Sequence, residues 1–414
     1  MMSRARSSRQ RTVESAFAEP PARPRLAPEA VIPSRPFPLR QVRRAPRVLV
    51  LNHEFPPVGG GAAPASYEIG RAYVRRGYAV SVVTMGYAGL PEHEVEDGMQ
   101  IFRVRCIRRR RHICTVPEMA TFVLAARRFL NQHLRTYTYD VAHAHFIVPG
   151  GAIALWAKRA FALPYVVTSH GSDVLGYNPR FRLVYPLVQR RWTQILLEAK
   201  GVASPTRFLA DRIREFREDL PIATIPHAIA RERFTALPKE DRILIVARLI
   251  QAKGVQDALD ALTHIDMRGW HVDVVGDGPY RRALERRAAA NRLTDSVTFH
   301  GWIDHDSDRL RELYGKARVF VCASHCENMS MAVLEAIAAR CRVVASNVGG
   351  TPDVVERAHL YEAGNIPALT ARLVEAMHAG SARSLPPLAD GGDWLPVIRQ
   401  YEDLCFGPRS TGRA

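Results

Sequence analysis

"RVFVCASHCENMSMAVLEAIAARCRVVASN", residues 318–347, decides the fold class of this chain. It begins with a short apolar run, continues with a helix expected over Met331–Arg340 that Ser330 can cap, and ends with a second apolar run. A buried strand, a helix and another buried strand in this order form the repeating unit of a parallel sheet. Two glutamates stand in this stretch, and Glu335 falls inside the apolar helix. An unpaired buried carboxylate is costly, so Glu335 should meet a partner.

The same alternation of strands and helices extends through most of the chain. Apolar runs such as RVLVLN (47–52) and AVSVVTM (79–85) alternate with helical segments, and a second series begins at RILIVARL (242–249). We therefore predict an α/β protein with two doubly wound, Rossmann-like domains that face each other across a cleft. Ligands of such sheets bind beyond the carboxyl ends of the strands, so the cleft is the expected site.

The composition shifts along the chain indicate four segments. Residues 1–45 are rich in arginine and proline and cannot bury a core, so we expect a disordered basic tail. The other expected segments are a first Rossmann-like domain over 46–228, a second over 229–390, and a final helix over 391–407.

The charge balance favours acidic partners. The 58 Lys and Arg exceed the 41 Asp and Glu and give a formal net charge of +17. Nucleic acid, a phosphorylated substrate and an anionic membrane are all compatible with this charge, but no nucleic-acid recognition motif is present. The densest basic patch after the tail is RVRCIRRRRH, Arg103–His112, which either faces anionic lipid headgroups or is a solvated loop. The tail likewise is either a tether or a solvated extension.

The sequence indicates a cytoplasmic protein, either free or peripheral on the inner face of the membrane. No apolar run approaches the ~20 residues that a membrane span needs, and no secretory signal is apparent. The six cysteines form no CxxC pair, so we expect free thiols in a reducing compartment.

Two pairs of charged residues are candidates for binding a phosphorylated ligand. Arg248 ends a predicted strand and Lys253 lies in the next turn, so both cations can neutralise a departing diphosphate. Glu327 lies in the loop before the helix and Glu335 one turn inside it, near a helix N-terminus that favours anions. The alternatives are a surface charge pair for the cations, a surface cap for Glu327 and a buried salt bridge for Glu335.

Glycines and histidines at predicted strand ends extend the candidate site. Gly59, Gly60 and Gly61 follow the first strand and can let backbone approach a phosphate or a sugar, or can form a strained turn. They match neither GxGxxG nor a Walker loop. His170 lies just past a strand, whereas His143 and His145 alternate along one and point to one face, where we expect packing or rim positions.

The acidic run DHDSD, residues 304–308, does not have the spacing of a calcium-binding loop. It directly precedes a helical segment, so we interpret it as an N-terminal cap and not as a metal site.

These motifs together resemble the retaining glycosyltransferases of family 4, which have the two-domain GT-B fold. The resemblance covers about Arg47 to Val355. The matching stretches are FPPVGGGAAPASYEIGRAYVRRGYAVSVVT, DVAHAHFIVPGG, PYVVTSHGSDV, ARLIQAKG, VVGDGP and SHCENMSMAVLEAIAARCRVVASNVGGTPDVV. The combination of an Arg and a Lys five positions apart with two glutamates eight positions apart further along the chain is specific.

The resemblance implies a role for each candidate. Glu335 would bind the donor ribose, Glu327 would contact the transferred sugar, and His170 would contact that sugar and assist the transition state. Arg248 and Lys253 would bind the diphosphate. The remaining residues implied at the nucleotide-sugar site are Gly60, Gly61, Gly276, Trp302, Ile303, Met329, Ser330 and Met331. No metal and no cofactor is implied, only a UDP- or GDP-linked sugar as co-substrate.

The resemblance implies that 46–228 is the acceptor-side domain, that 229–390 is the nucleotide-sugar donor domain, and that the helix over 391–407 crosses back to the first domain. The implied reaction is transfer of a hexose to a lipid-linked or glycan acceptor, with retention of configuration. The chain departs from the family pattern at Asn328, where glycine is frequent, at Arg340-Cys341-Arg342, and in a shortened segment after Val355. Two alternatives stay open: a nucleotide-sugar epimerase of GT-B architecture, and a non-catalytic sugar-nucleotide-binding scaffold.

Overall fold

A computed structural model of the chain describes residues 44–111, 113–177, 185–229, 233–305, 307–378 and 394–408. Residues 1–43 of the predicted tail and His112 of the predicted basic patch therefore lie outside the described residues. We call 44–229, which carries the first sheet, the first half, and 233–378, which carries the second sheet, the second half.

The first sheet has eight strands within the described residues, in the order β3-β4-β2-β1-β5-β6-β7-β8. Its strands are β1 (Arg47–Leu51), β2 (Ala79–Met85), β3 (His93–Glu96), β4 (Met99–Val104), β5 (Val141–His145), β6 (Tyr165–Thr168), β7 (Gly201–Ser204) and β8 (Ile222–Thr224). All neighbours are parallel except β3, which pairs antiparallel with β4. The sequence pattern missed β3, because this short edge strand carries a single aliphatic residue, Val95, and that residue is exposed.

The second sheet has six parallel strands in the described part of the chain, in the order β11-β10-β9-β12-β13-β14. Its strands are β9 (Glu240–Val246), β10 (His271–Val275), β11 (Val297–Gly301), β12 (Ala317–Cys322), β13 (Arg342–Ser346) and β14 (Leu360–Tyr361). The prediction of two doubly wound, Rossmann-like sheets is confirmed.

Helices cover both faces of the sheets, and apolar cores fill the layers between them. The helices are α1 (Ala62–Arg75), α2 (Val116–Thr136), α3 (Ala152–Phe161), α4 (Tyr185–Glu198), α5 (Arg207–Arg214), α6 (Val255–Leu262), α7 (Arg281–Ala290), α8 (Asp308–Lys316), α9 (Met331–Ala338), α10 (Ile366–His378) and α11 (Trp394–Phe406). The central strands are apolar on both faces because both are covered; in β1, Val48 to Leu51 are fully buried.

Helix α11 packs against the first half of the chain. The Arg76 guanidinium donates to Glu402 on α11 at 2.9 Å, and the Lys200 ammonium donates to the Cys405 carbonyl at 2.7 Å. Tyr73 of α1 contacts the Cys405 thiol. The last described helix therefore returns to the sheet with which the chain begins.

Each sheet has one place where its strand order reverses. In the first sheet, β2, β4 and β3 lie on one side of β1, and β5 to β8 lie on the other. In the second sheet, β10 and β11 lie on one side of β9, and β12 to β14 lie on the other. Loops that leave two such neighbouring strands diverge and open a crevice at the carboxyl edge. The fold thus provides two crevices, one after β1 and β5 and one after β9 and β12.

Candidate functional site

The charged candidates of the second half lie together at its crevice. Arg248 and Lys253 follow β9, and Glu327 follows the adjacent strand β12. The Lys253 ammonium donates to Oε2 of Glu327 at 2.5 Å, and the Ser324 hydroxyl donates to the same oxygen at 3.3 Å. The structure thus joins Lys253 and Glu327, which stand 74 positions apart in the sequence.

The turn that carries Lys253 is fixed on the end of β12. Gly254 has a positive φ of 64°, and a Cβ there would lie 1.7 Å from the Ala323 carbonyl oxygen, so only glycine fits. The His325 amide donates to the Ala252 carbonyl at 2.8 Å. Backbone contacts from both strand ends therefore set the distance between Lys253 and Glu327.

Glu335 meets an imidazole. Its Oε1 lies 2.8 Å from Nε2 of His305, and the Glu335 side chain is only 4% exposed. The buried carboxylate thus has a protein partner in His305. That Glu335 binds the donor ribose stays a prediction. Burial, and then the negative charge of Glu335, raise the pKa of the neighbouring Tyr314 hydroxyl.

His305 was missed because the acidic run around it was interpreted as a helix cap. That interpretation is confirmed for Ser307, which caps the N-terminus of α8: its hydroxyl accepts a hydrogen bond from the Leu310 amide. His305, two residues before Ser307, contacts Glu335 on α9. A histidine close to a capping serine gives no sequence signal for such a contact.

Helix α9 differs in detail from the prediction. Ser330 precedes its first residue as expected, but its hydroxyl makes no capping hydrogen bond, and its carbonyl accepts from Val333 and Leu334. The helix ends at Ala338 and not at Arg340, because Arg340 adopts a left-handed φ of 59° that turns the chain into β13.

The glycine loop of the first half lies opposite Arg248. A Cβ on Gly60 would lie 3.9 Å from Cζ of Arg248, and a Cβ on Gly61 would meet no atom within 4 Å. Gly59 alone has a positive φ, 123°, and forms the strained turn. Oε2 of Glu54 accepts from the Gly60 amide at 3.0 Å. The sequence pattern did not single out Glu54, although it shapes the face of the loop toward Arg248.

His170 belongs to a group of histidines at the carboxyl edge of the first sheet. Its Nε2 lies 3.0 Å from Nδ1 of His145, and its ring stacks on His227. Burial, and then the neighbouring His227, hold the pKa of His170 well below its ordinary value. His143 and His145 stack at 4.4 Å between centroids, in agreement with the predicted shared face. His170 is therefore neutral at physiological pH.

The remaining candidates divide between rim and core. Trp302 is 40% exposed at the rim, and its indole donates to Asp304 at 3.1 Å, whereas Ile303 packs against the second-half core. Met329 and Met331 are buried, so their side chains belong to the core. Gly276 has a φ of 127°, and a Cβ there would lie 1.9 Å from the Ala247 carbonyl oxygen, which explains this glycine without a ligand.

The two halves meet directly beside Glu327. Oδ1 of Asn328 accepts from the Thr206 hydroxyl at 2.6 Å, and its amide nitrogen donates to the His170 carbonyl at 3.4 Å. The Arg207 amide donates to Asp353 at 3.1 Å nearby. These contacts bring His170 and Glu327 to opposite sides of one cleft.

The predicted basic patch is only partly a surface. Arg103 is buried and donates to Glu94 at 2.5 Å, so its assignment to a lipid-facing patch was wrong. Strand β4 ends at Val104, so its alternating pattern points Arg103 inward. The Arg111 guanidinium donates to the Pro57 carbonyl at 2.7 Å. Arg109 and Arg110 remain exposed.

Neither a metal cluster nor a membrane-spanning helix is found within the described ranges. No group of three or more His, Cys, Asp or Glu is arranged there to bind a metal ion. No described helix combines the length and the apolar character needed to cross a bilayer.

Two family models match the chain. The model described as "Glycosyltransferase Family 4" matches residues 59–233, and the model described as "Glycosyl transferases group 1" matches residues 240–379. Together they cover both halves and include all the charged candidates.

Known proteins resemble the chain over most of its length. A Bacillus subtilis protein named as a putative teichuronic acid biosynthesis glycosyltransferase is 27% identical over 63% of this chain and 66% of its own length. A Mycobacterium tuberculosis GDP-mannose-dependent alpha-(1-6)-phosphatidylinositol monomannoside mannosyltransferase is 26% identical over 86% of this chain and 96% of its own. The structure of sucrose-phosphate synthase from Thermosynechococcus elongatus superposes with a TM-score of 0.74 at 21% identity, over 87% of this chain and 98% of that one. At that identity the likeness shows the fold alone, the GT-B arrangement.

Proposed function

The chain belongs to the family 4 glycosyltransferases, and on this premise we propose that it moves a hexose from a UDP- or GDP-linked sugar to a lipid-linked or glycan acceptor with retention of configuration. One observation carries the proposal: the Lys253–Glu327 pair lies at the crevice of the second sheet, with Arg248 facing Gly60 of the first half. That arrangement supports a diphosphate held by two cations beside a sugar held by Glu327.

The proposed roles follow from where each side chain lies. Glu335, oriented by His305, accepts from the ribose hydroxyls, and the exposed indole of Trp302 stacks beside the base. His170 contributes a neutral imidazole on the sugar side. We extend the proposal to the domain borders given above, 46–228, 229–390 and 391–407.

In the proposed reaction the bond between the anomeric carbon and the diphosphate oxygen breaks, and a bond to the acceptor oxygen forms on the same face. Arg248 and Lys253 take up the negative charge that develops on the leaving diphosphate, and a diphosphate oxygen takes the acceptor proton. Glu327 then needs to position the sugar and not to form a covalent intermediate. Because two protein cations stand at this place, no metal ion is assigned to the step.

The relatives suggest the class of acceptor. One is named for teichuronic acid, a polysaccharide, and another for a phosphatidylinositol mannoside, a glycolipid. We propose a role in polysaccharide or glycolipid biosynthesis for this chain too, at the cytoplasmic face of the membrane.

The surface beside the glycine loop supports contact with a membrane. Arg109 and Arg110 are exposed next to Ile107, whose amide donates to Thr121 of α2, and Leu124 on that helix is 67% exposed. We call Arg105, Ile107, Arg109, Arg110 and Leu124 the basic rim. Basic side chains around exposed apolar ones suit an anionic bilayer surface. A lipid-linked acceptor bound there would lie near the cleft.

A transfer assay tests the proposal. UDP- and GDP-hexoses labelled in the sugar are incubated with the protein and either a total lipid extract or soluble glycans, with and without EDTA. We expect label in one acceptor fraction, an unchanged rate in EDTA, and by NMR a product with the donor's anomeric configuration. An inverted product, or a donor epimerised or hydrolysed without acceptor product, would overturn the proposal.

A further inference from the structure

The side chain of Asn328, a residue of the second half, hydrogen-bonds to the first half at the cleft. It follows Glu327 directly, is 6% exposed, and hydrogen-bonds through both ends of its amide to the first half. Its oxygen accepts from Thr206, and its nitrogen donates to the carbonyl of His170. Asn328 therefore contacts His170 of the first half and directly follows Glu327 of the second half.

The surroundings of Asn328 leave little freedom. A Cβ on Gly349 would lie 1.7 Å from the Glu327 carbonyl oxygen, and a Cβ on Gly350 would lie 2.5 Å from that of Asn328. The backbone N–H of Asn328 donates to Oε1 of its neighbour Glu327 at 3.3 Å. A shift of Asn328 would therefore be transmitted to the Glu327 carboxylate.

Thr206 is a fixed partner. It begins α5, and its hydroxyl accepts from the Leu209 amide at 3.2 Å while it donates to Asn328 at 2.6 Å. A hydroxyl can donate once and accept as well, so both bonds coexist. A glycine at position 328, which is frequent in the family, could make neither side-chain bond.

We propose that Asn328 is a positioning residue for transfer: its side chain clasps Thr206 and the His170 backbone, and so holds the cleft closed with His170 and Glu327 on the same donor sugar. The proposal rests on the proposed function for its effect on turnover. The closure of the cleft by Asn328 rests only on its contacts with Thr206 and His170. Asn328 itself need not touch the substrate, and Arg248, Lys253 and Glu335, which would bind the donor, all lie in the second half.

This division gives a kinetic signature. Loss of the clasp should leave donor binding to the second half intact and impair the step that needs both halves. We expect Asn328→Leu to lower kcat at least tenfold while the donor KM changes less than threefold. Thr206→Val should give a similar loss, the double variant no further loss, and Thr206→Ser, which keeps both hydrogen bonds, a near-normal kcat.

The experiment uses the full chain with a labelled nucleotide sugar, and small-angle X-ray scattering without ligand on the same variants. Asn131→Leu is the matched control, because Asn131 is exposed on α2 and makes none of the contacts at the cleft described above. We expect a larger radius of gyration for Asn328→Leu and an unchanged one for the control. Asn328→Asp, which keeps the size and the Thr206 bond but loses the donor to His170, should fall between.

Three results would overturn the clasp: an unchanged radius of gyration in Asn328→Leu, a kcat within twofold of the parent protein, or additive losses in the double variant. A lowered melting temperature with unchanged kcat would also overturn it, because it would show a merely structural contact. If the parent protein turned over no nucleotide sugar, the proposed function would fail, and the scattering comparison would still decide the closure.

Discussion

Nζ of Lys253 lies 2.5 Å from Oε2 of Glu327, and this ion pair joins the segments that follow β9 and β12, the two strands between which the order of the second sheet reverses. Both side chains are largely buried. Removing one partner leaves the other charge uncompensated, so the pair holds each residue in place for a ligand.

The first prediction concerns Lys253. We expect Lys253→Ala to lower turnover of a nucleotide sugar about a hundredfold or more, because one of two cations on the diphosphate is lost. Lys316→Ala is the control, since Lys316 pairs with Glu312 on the surface of α8. Initial rates with saturating donor measure the effect, and equal rates in both variants would speak against a role for Lys253.

His305 offers a second prediction. His305→Ala removes the hydrogen bond to a buried carboxylate, and we expect it to cost about 1–3 kcal/mol in the free energy of unfolding and to weaken nucleoside-diphosphate binding. His305→Gln, which can still donate, should recover part of both. Urea unfolding and calorimetric titration measure the two quantities. Tighter nucleotide binding in His305→Ala would mean that His305 competes with the ribose and does not orient Glu335.

The buried histidines predict a loss of stability in mild acid. Burial lowers the pKa of His53 and of His227 from about 6.5 to about 4. Between these values the unfolded chain binds protons that the folded chain does not, so the free energy of unfolding falls as pH drops from about 6.5 towards 4. One such histidine contributes on the order of 3 kcal/mol.

Urea midpoints between pH 7.5 and 4.5 test this expectation. We expect His227→Phe, which keeps an aromatic ring on His170 but cannot titrate, to show a shallower decline than the parent protein. A midpoint that is independent of pH, or an identical slope in the variant, would contradict the assignment of neutral buried imidazoles.

The basic rim gives a fourth prediction. Arg109→Glu with Arg110→Glu should weaken binding to vesicles of anionic lipid several-fold in low salt, and the parent protein's binding should fall as salt rises. Arg103→Gln should instead lower the melting temperature, because Arg103 is buried beside Glu94. Co-sedimentation measures the first effect, and salt-independent binding would exclude an electrostatic contact.

The sequence predicted the sheets because their strands are continuous apolar runs, and it predicted the carboxyl-edge positions of Arg248, Lys253 and Glu327 because they directly follow such runs. It did not predict the contacts of His305 and Asn328, whose partners Glu335 and Thr206 come from other elements. Pairings between elements depend on loop geometry, which leaves no periodic trace in the sequence. Arg103 was assigned to the surface because it is the first residue of a run rich in arginine. It also belongs to β4, whose alternating pattern places its side chain on the buried face.

The most direct test of a nucleotide-sugar site at this cleft is a thermal-shift panel with UDP, GDP, ADP and NAD on the full chain, beside Glu335→Ala and the exposed control Glu362→Ala. A ligand at a hundredfold excess over its Kd stabilises the fold by roughly 2.7 kcal/mol, which is enough to see. We predict stabilisation by UDP or GDP that is lost in Glu335→Ala and kept in Glu362→Ala. An absent shift with every nucleoside diphosphate, or an equal shift in Glu335→Ala, would contradict a nucleotide-sugar site at this cleft.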